Sequence, residues 1–334
     1  MSNPPRATFI LLAYNQEAYV AEAIAGALGQ DYPDLEIILS DDGSSDCSFA
    51  IIEEAVRRYD GPHRVIASRT PVNAGLLAHI YHAVGKASGE LIVVAAGDDV
   101  SLPQRVRVLA EEWQRTGANA LFSDWQVIDE QGKITGRGSR KGEWNDLACW
   151  FADGQIVMIP GATAAYDRSV FSAVYLPDFP IFAEDAFFSL MLKLRSRPVV
   201  LVAQELVQYR AHGQSLINRP LEATDLVENE RRLEQYSEMM MQTYEYVANA
   251  AWTGTGADPA FGTASSVNWL AIQSDIRHAR FRTRWIDAPV TGRLAELGRV
   301  AGSRAKLRWL LPRVGGLTTL RIQRAITAQL RGKR

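Results

Sequence analysis

The chain has 334 residues, 47% of them hydrophobic, with a formal net charge of −2, so it is long enough for one large domain or two ordinary ones with a packed core. Cys47 and Cys149 lie far apart in no zinc-binding spacing, which excludes a disulfide scaffold and a cysteine zinc site as readings of the sequence. No apolar run approaches the roughly 18–20 residues of a membrane span, and the first residues lack the basic region of a signal peptide, so we expect a soluble, cytoplasmic protein.

The first 125 residues alternate between strand and helix patterns. Short apolar runs predict strands, and apolar residues at helical spacing predict the helices between them. This alternation predicts an α/β fold, a mostly parallel sheet with helices on both faces. The predicted strands are 7–13, 35–40, 63–68, 90–95 and 120–125, and the predicted helices are 17–29, 48–59, 76–87 and 103–117.

The regular alternation of strand and helix patterns ends after residue 125. A hairpin is predicted over 127–136, a helix over 184–195 and a strand over 198–203, whereas only helical patterns follow residue 220. We therefore expect an α/β domain over 1–217, divided near residue 125 into a first half (1–125) and a second half (126–217). A helical C-terminal region over 218–334 follows it.

The near-neutral total hides a charge asymmetry. Residues 277–334 carry 15 Lys and Arg against Asp287 and Glu296, so the tail is strongly basic and the remainder acidic. Basic residues mixed with Trp, Phe and Leu suit a helix lying on an anionic membrane surface. The alternative is packing against the rest of the chain or against a second copy in a homo-oligomer. Because the body is acidic and no recognition motif is present, we expect no nucleic-acid partner.

Acidic residues follow two of the predicted parallel strands. The stretch SDDGSSD follows the second strand, and Asp98 and Asp99 follow the fourth. Loops after parallel strands emerge at one edge of the sheet, where ligands bind, so the two groups are expected to converge. Asp98 and Asp99 are sufficient protein ligands for Mn2+ or Mg2+, which complete their shells with phosphates and waters. The alternative is that these residues form turns and helix caps only.

Two blocks of sequence together resemble the family 2 glycosyltransferases, which are inverting nucleotide-sugar enzymes of GT-A fold. The first is FILLAYNQEAYVAEAIAGALGQDYPDLEIILSDDGSSD, and the second is NAGLLAHIYHAVGKASGELIVVAAGDD. The resemblance runs from about residue 7 to about residue 215. It implies a nucleotide-sugar donor and a saccharide or lipid-linked saccharide acceptor. It also implies that 1–217 is a catalytic domain, with a donor half over 1–125 and an acceptor half over 126–217.

The resemblance also implies roles for residues of the donor half. Asp42 would accept hydrogen bonds from the base, uracil if the donor is a UDP-sugar. Asp98 would bind the metal that bridges the diphosphate, and Asp99 would shape that loop or contact the sugar. The implied nucleotide-binding residues are Ala13, Tyr14, Glu17, Asp42, Asn73 and Gly75. For Glu17, favouring a helix N-terminus is an alternative role.

In the acceptor half, the resemblance points to FAEDAFFSLML and YRAHGQS. Asp185, with Glu184 as second choice, would be the general base that takes the proton of the acceptor hydroxyl. His212 would reach the metal or diphosphate, with Arg210 assisting at the diphosphate. Gly161 and Ala162 would line the wall on the acceptor side.

One position departs from the family pattern. The first acid of the Asp-any-Asp motif is replaced by Ala96, which leaves a ribose contact to be made from elsewhere. The leading hypothesis is an inverting, metal-dependent glycosyltransferase of surface polysaccharide synthesis, held in the cytoplasm or on the inner face of the membrane. Ala96 leaves open a non-catalytic alternative, a nucleotide-sugar-binding or scaffolding subunit.

Overall fold

The structure is a computed structural model of the whole chain. It describes residues 4–139, 159–171, 181, 184–194 and 197–212, and in the C-terminal region 231, 238, 242–243, 245–247, 281, 285, 287–299 and 310–313.

The described residues form nine strands, six α-helices and three short 3-10 turns. The strands are β1 (Ala7–Ala13), β2 (Leu35–Asp41), β3 (Arg64–Arg69), β4 (Leu91–Ala96), β5 (Val100–Ser101), β6 (Ala120–Ile128), β7 (Ile134–Gly138), β8 (Ala164–Asp167) and β9 (Val199–Arg210). The helices are α1 (Val20–Leu28), α2 (Ser48–Arg58), α3 (Leu76–Val84), α4 (Arg105–Thr116), α5 (Glu184–Leu194) and α6 (Val290–Arg299). The 3-10 turns are Gly161–Thr163, Arg168–Phe171 and Leu311–Arg313.

All strands but β7 follow one path through a single sheet, in the order β3-β2-β1-β4-β8-β6-β9-β5, with β7 paired to β6. Strands β1 to β4 are parallel, and β6 is parallel to β9. The short strand β8 runs antiparallel to both β4 and β6, so β6 points the same way as β4. The carboxyl ends of β1, β2, β4, β6 and β9 therefore meet at one edge of the sheet.

Helices cover both faces of the sheet, as the sequence predicts. On β1, Ile10 and Leu12 pack in a core with residues of α3 and α5, whereas Phe9 and Leu11 pack in a second core with residues of α1, α2 and α4. The alternation of side chains along a strand sends neighbours to opposite faces, and both faces of β1 are buried. The predicted α/β fold is confirmed.

The acceptor half departs most from the sequence prediction. Strand β9 continues to Arg210, well past the predicted end at residue 203, because the polar stretch AQELVQYR keeps pairing with β6. Strand β8 and the turn Gly161–Thr163 are not predicted as elements. The predicted domain boundary at residues 217–218 lies outside the described residues.

The described part of the basic tail contains helix α6, which confirms part of the predicted helical pattern. Trp285, one of the aromatic residues of the basic tail, is fully buried. The guanidinium carbons of Arg293 and Arg313 lie 5.8 and 5.5 Å from its ring centroid. These contacts favour the packing alternative for this part of the tail. Within the described ranges, no helix has the length and apolarity needed to cross a bilayer.

Candidate active site

The loops that follow β1 and β2 are bound to each other. The Asn15 N–H donates to the Ser44 hydroxyl (2.9 Å), and the Ser45 N–H donates back to the Asn15 side-chain oxygen (2.9 Å). The Gln16 N–H donates to the Ser48 hydroxyl (2.8 Å). Asn15 adopts a left-handed backbone with φ of 51°, which asparagine tolerates better than most residues. These reciprocal bonds fix the backbone beside which the nucleotide is expected to bind.

Three of the predicted nucleotide-binding residues lie on the first of these loops or immediately before it. Ala13 ends β1 and is buried, whereas the Tyr14 side chain is 46% exposed. The carboxylate of Glu17 accepts a hydrogen bond from the Cys47 N–H (2.9 Å), just before α2 begins. Glu17 therefore stabilises the N-terminus of α2, and its contact with a nucleotide stays a prediction.

Asp42 is buried and organises the loop that follows β3. Its carboxylate accepts from the Thr70 hydroxyl (2.7 Å) and from the N–H groups of Ala74 (2.9 Å) and Gly75 (3.0 Å). The Gly75 N–H is shared with the Asn73 side-chain oxygen (2.9 Å), so three predicted nucleotide-binding residues meet here. A carboxylate offers about four acceptor positions, so a further bond to a base is compatible with these contacts.

Beneath Asp42, the neighbouring residues form a buried polar group. Asp41 receives the Ser44 N–H (2.9 Å) and pairs with Arg69 (3.2 Å), while its Oδ1 has no hydrogen-bond partner. His79 on α3 lies 2.7 Å from the Ser40 hydroxyl. Burial lowers the pKa of His79 to about 4, although the charges of Asp42 and Asp41 oppose the shift. His79 is therefore neutral at pH 7.

Asp98 and Asp99 are adjacent in sequence but have different environments. The Asp98 side chain is 18% exposed, and its Oδ2 lies 3.0 Å from the Nε2 of His212. Asp99 is buried, and its Oδ1 accepts from the Arg210 N–H (2.8 Å). Burial raises the pKa of Asp99 well above its usual range, and the Asp98 charge adds to this. The structure thus brings together the two predicted metal ligands, Asp98 and His212. Asp99 instead accepts a hydrogen bond from the backbone of Arg210.

The guanidinium of Arg210 is buried and hydrogen-bonded to other residues of the chain. Four of its five N–H groups donate to oxygens: those of the Asp98, Asp129 and Glu130 backbones (3.0, 3.2 and 3.2 Å) and of the Glu22 carboxylate (2.6 Å). It also lies 5.0 Å from the Tyr19 ring. Arg210 therefore attaches the Asp98 loop to α1 and to the β6–β7 turn. Its predicted contact with a diphosphate stays a prediction, now alongside this structural role.

The pair of Asp98 and His212 fits a hard divalent cation of the predicted kind. Both Mg2+ and Mn2+ prefer oxygen ligands and take one or two carboxylates from the protein, with substrate phosphates filling the shell. Of the two, Mn2+ accepts an imidazole ligand more readily. Among the described residues, no three His, Cys, Asp or Glu side chains converge as a metal cluster. A cation held here would therefore depend on the donor phosphates for most of its ligands.

The two carboxylates predicted as base begin helix α5. The Gly161 N–H donates to the Oδ1 of Asp185 (2.9 Å). A Cβ atom added to Gly161 would collide with the carboxylate oxygens of both Glu184 and Asp185, so both approach this glycine closely. Burial, followed by the charge of Asp185, raises the pKa of Glu184 well above its usual range. Of the two, Asp185 is the better candidate to carry the negative charge that a base requires.

Sequence reasoning missed Arg105, which joins the end of β4 to the Gly161–Thr163 turn beside the proposed base. Arg105 is fully buried, and its Nη2 donates to the backbone oxygens of Val94 (2.7 Å) and Ala162 (3.0 Å). Burial lowers the pKa of Arg105 to about 9, and the charge of Asp99 opposes this, so Arg105 stays charged at pH 7. The sequence did contain a hint that Arg105 is unusual, because a basic residue in the first turn of a helix interacts unfavourably with the helix dipole.

Comparison with known proteins gives consistent results. The sequence model described as Glycosyl transferase family 2 matches residues 8–174, half of the chain. A Bacillus subtilis protein named as the glycosyltransferase EpsE is 34% identical over 106 residues, which cover 32% of this chain and 37% of EpsE. A glycosyltransferase of Haemophilus influenzae is 24% identical over 226 residues, covering 64% of this chain and 68% of that protein. The chain thus spans only about a third of EpsE.

Solved structures share the fold of this chain over most of its length, at low sequence identity. TarS of S. aureus, residues 1–349 in complex with UDP-GlcNAc, superposes with a TM-score of 0.55 at 14% identity, over 91% of this chain and 90% of that one. A UDP complex of the same TarS fragment gives a TM-score of 0.53 at 14% identity, with the same coverage. At this identity the likeness establishes the fold, a GT-A-like α/β sheet.

Proposed function

We propose that this glycosyltransferase, which belongs to Glycosyl transferase family 2 by its match over residues 8–174, moves a sugar from a UDP-sugar to a saccharide hydroxyl with inversion. The observation that carries the proposal is the pairing of Asp98 with His212 across 114 positions of sequence, at 3.0 Å. It lies at the edge of the sheet where the carboxyl ends of the parallel strands meet, which is where such folds bind nucleotides.

The donor is proposed to lie on the loops after β1, β2 and β3. Asp42, already oriented by three donors, would accept from the base edge, while Ala13, Tyr14, Asn73 and Gly75 would line the pocket. With Ala96 in place of an acid, contacts to the ribose must come from other residues of these loops. The UDP and UDP-GlcNAc complexes of TarS support uridine as the first base to test.

Asp185 is proposed to perform the proton transfer. As the acceptor oxygen attacks the anomeric carbon, its proton passes to the Asp185 carboxylate, the new C–O bond forms, and the bond to the diphosphate breaks with its electron pair leaving on UDP. The Gly161 N–H donates to the Oδ1 of Asp185 and would help to orient this carboxylate toward the acceptor hydroxyl. Glu184, with its raised pKa, would keep its proton and leave the charge on Asp185.

Asp98 and His212 would hold Mn2+ or Mg2+, and the bound cation would offset the charge that develops on the departing diphosphate. Arg210 contributes by fixing the backbone of Asp98, and Asp99 by accepting the Arg210 N–H. The acceptor is proposed to be a saccharide or a lipid-linked saccharide of surface polysaccharide synthesis.

Titration calorimetry with UDP and UDP-GlcNAc, with and without Mn2+, tests the donor and metal assignments. We expect binding that tightens with Mn2+ and weakens by about tenfold or more in Asp98→Ala and His212→Ala, which corresponds to about 1.4 kcal/mol or more. The control is Asp60→Ala, an exposed carboxylate after α2. Binding that ignores both Mn2+ and the two substitutions would remove the metal site from the proposal.

Binding of residues 277–334 to an anionic membrane surface stays a separate prediction. The burial of Trp285 argues for packing at that position, while most of the tail lies outside the described residues. Flotation of the full chain with phosphatidylglycerol vesicles and with phosphatidylcholine vesicles distinguishes the readings. Preferential recovery with the anionic vesicles supports membrane contact, and equal recovery supports packing or self-association.

A further inference from the structure

Arg105 is an unusual residue for its position. It is the first residue of α4, it is 0% exposed, and the apolar residues Val106, Leu109 and Ala110 share its buried side of the helix. Burying a charged group is costly unless it is paired and hydrogen-bonded. A guanidinium kept at such a place therefore needs an explanation in the contacts that it makes.

Those contacts join three separate elements. Nη1 donates to the Ser101 hydroxyl on β5 (2.8 Å). Nη2 donates to the Val94 backbone oxygen near the end of β4 (2.7 Å) and to the Ala162 backbone oxygen in the Gly161–Thr163 turn (3.0 Å). A planar fork of donors can bridge several carbonyls in this way, which the single ammonium of lysine cannot reproduce.

A second buried ionisable group, Asp99, lies in the loop after β4. Burial raises the pKa of Asp99, and the charges of Arg105 and Arg210 oppose that rise. One oxygen of Asp99 accepts from the Arg210 N–H, while its Oδ2 and the Nε of Arg105 have no hydrogen-bond partner. The link between this loop and Arg105 is therefore made through β4, since Arg105 binds the Val94 oxygen shortly before the Asp98–Asp99 loop.

That turn in turn holds the proposed base. Gly161 precedes the carbonyl that Arg105 binds, and its N–H donates to Asp185 at 2.9 Å. A hydrogen-bonded path therefore runs from the end of β4, shortly before the Asp98–Asp99 loop, through Arg105 and the turn to Asp185.

We propose that Arg105 is a positioning residue, whose guanidinium holds the Gly161–Thr163 turn against the end of β4 and thereby sets the place of Asp185 relative to Asp98. This inference rests on the proposed function for the role of Asp185 as base. It goes beyond that function in assigning to a residue outside the pocket the spacing between the donor side and the base.

The first test compares turnover with donor binding in Arg105→Lys. UDP release from UDP-GlcNAc, with water as acceptor, gives kcat, and calorimetry gives the donor Kd. Because a misplacement of about 1 Å can reduce catalysis about a hundredfold, we expect kcat to fall tenfold to a hundredfold while Kd changes less than about threefold. The matched control is Arg107→Lys on the same helix, whose guanidinium pairs at the surface with Asp31 and Glu111. A wild-type kcat in Arg105→Lys, or equal losses in kcat and affinity, would overturn the proposal.

The second test does not depend on turnover. Arg105 and Asp185 share no hydrogen bond, and substitutions at separated sites usually have additive effects on stability. If Arg105 holds the turn that holds Asp185, the change in Tm caused by Asp185→Ala should be smaller in Arg105→Lys than in the wild type. Additive changes in Tm would contradict the proposal.

The two tests can still be read if Arg105→Lys does not fold or if no turnover is detected. If Arg105→Lys does not fold, Ser101→Ala replaces it, because it removes one anchor of the guanidinium and keeps the others. We expect a kcat reduced about threefold at unchanged donor affinity and the same non-additivity with Asp185→Ala. If the wild type releases no UDP from UDP-GlcNAc in water, calorimetry still tests the donor assignment, and the Tm cycle decides the role of Arg105.

Discussion

The donor side and the base side of the site are held in different ways. The donor loops after β1, β2 and β3 are cross-linked repeatedly, with Asn15, Ser44 and Asp42 each making two or more hydrogen bonds between or within loops. On the base side, the Gly161 N–H donates to Asp185, and the Gly161–Thr163 turn is bound by the buried guanidinium of Arg105. We infer that the cross-links buffer single substitutions on the donor side, whereas substitutions on the base side act directly on the residue that takes the proton.

The largest expected effect is that of Asp185→Asn. An amide cannot take the acceptor proton, and a positioned base typically contributes about 10²–10⁴ in rate, so transfer should fall by that factor. Donor affinity should be unchanged, since the donor loops lie on other elements. Enzyme turnover and calorimetry on the same preparation measure both.

Glu184→Gln is the comparison for that variant. A protonated Glu184 and a glutamine are similar in shape and charge, so kcat should change much less than in Asp185→Asn. Full turnover in Asp185→Asn together with loss in Glu184→Gln would exchange the roles of the two residues.

The next effect in size is expected from Gly161→Ala. The added methyl would collide with the carboxylates of Glu184 and Asp185, and displacement of the base should lower kcat tenfold to a hundredfold at unchanged donor affinity. Gly136→Ala is the matched control, since its added Cβ would meet Val127 at an ordinary distance of 3.8 Å. Equal kinetics for both variants would show that the base side tolerates the added methyl group.

This contrast also separates what the sequence predicts from what it does not. The strands and helices of the donor half follow from apolar periodicity, and β1 is predicted at both of its ends. The pairing of Asp98 with His212 was expected only through the family resemblance, because the two residues are 114 positions apart. The roles of Arg105 and Arg210 depend on which carbonyls come within reach after folding, and no sequence pattern records that.

Strand β9 illustrates the same limit. Its second half, AQELVQYR, is too polar to read as a buried strand, yet it pairs with β6 as far as Arg210 and so brings Arg210 and His212 to the Asp98–Asp99 loop. The partner strand decides this, and the partner is distant in sequence. The resemblance gave the residues of the site, whereas the structure gives their support.

A smaller effect, on stability, is expected at His79 beneath the donor loops. Its pKa is about 4 in the fold against 6.5 for the ordinary side chain, so the unfolded chain takes up a proton first as the pH falls. Stability from this residue is present above pH 6.5 and is lost as the pH falls toward 4, a change that approaches about 3 kcal/mol. Urea unfolding at pH 7 and pH 4.5 should therefore show a larger loss in the wild type than in His79→Gln. Equal losses would place the acid sensitivity in other groups.

The smallest effect should come from Ser44→Ala, which probes the buffering of the donor side directly. The Ser44 hydroxyl is buried and accepts the Asn15 N–H at 2.9 Å, so its removal should lower the free energy of unfolding by about 1 kcal/mol. Ser45→Ala is the control, because the Ser45 hydroxyl is exposed and lies 3.3 Å from Asn15, while its backbone N–H keeps the bond to that residue. If the cross-links are redundant, donor affinity in Ser44→Ala should change less than about threefold, since the remaining bonds of Asn15 and Gln16 still hold the loop. A loss of donor affinity as large as the loss of kcat in Gly161→Ala would show instead that the donor loops are not buffered against the loss of one contact.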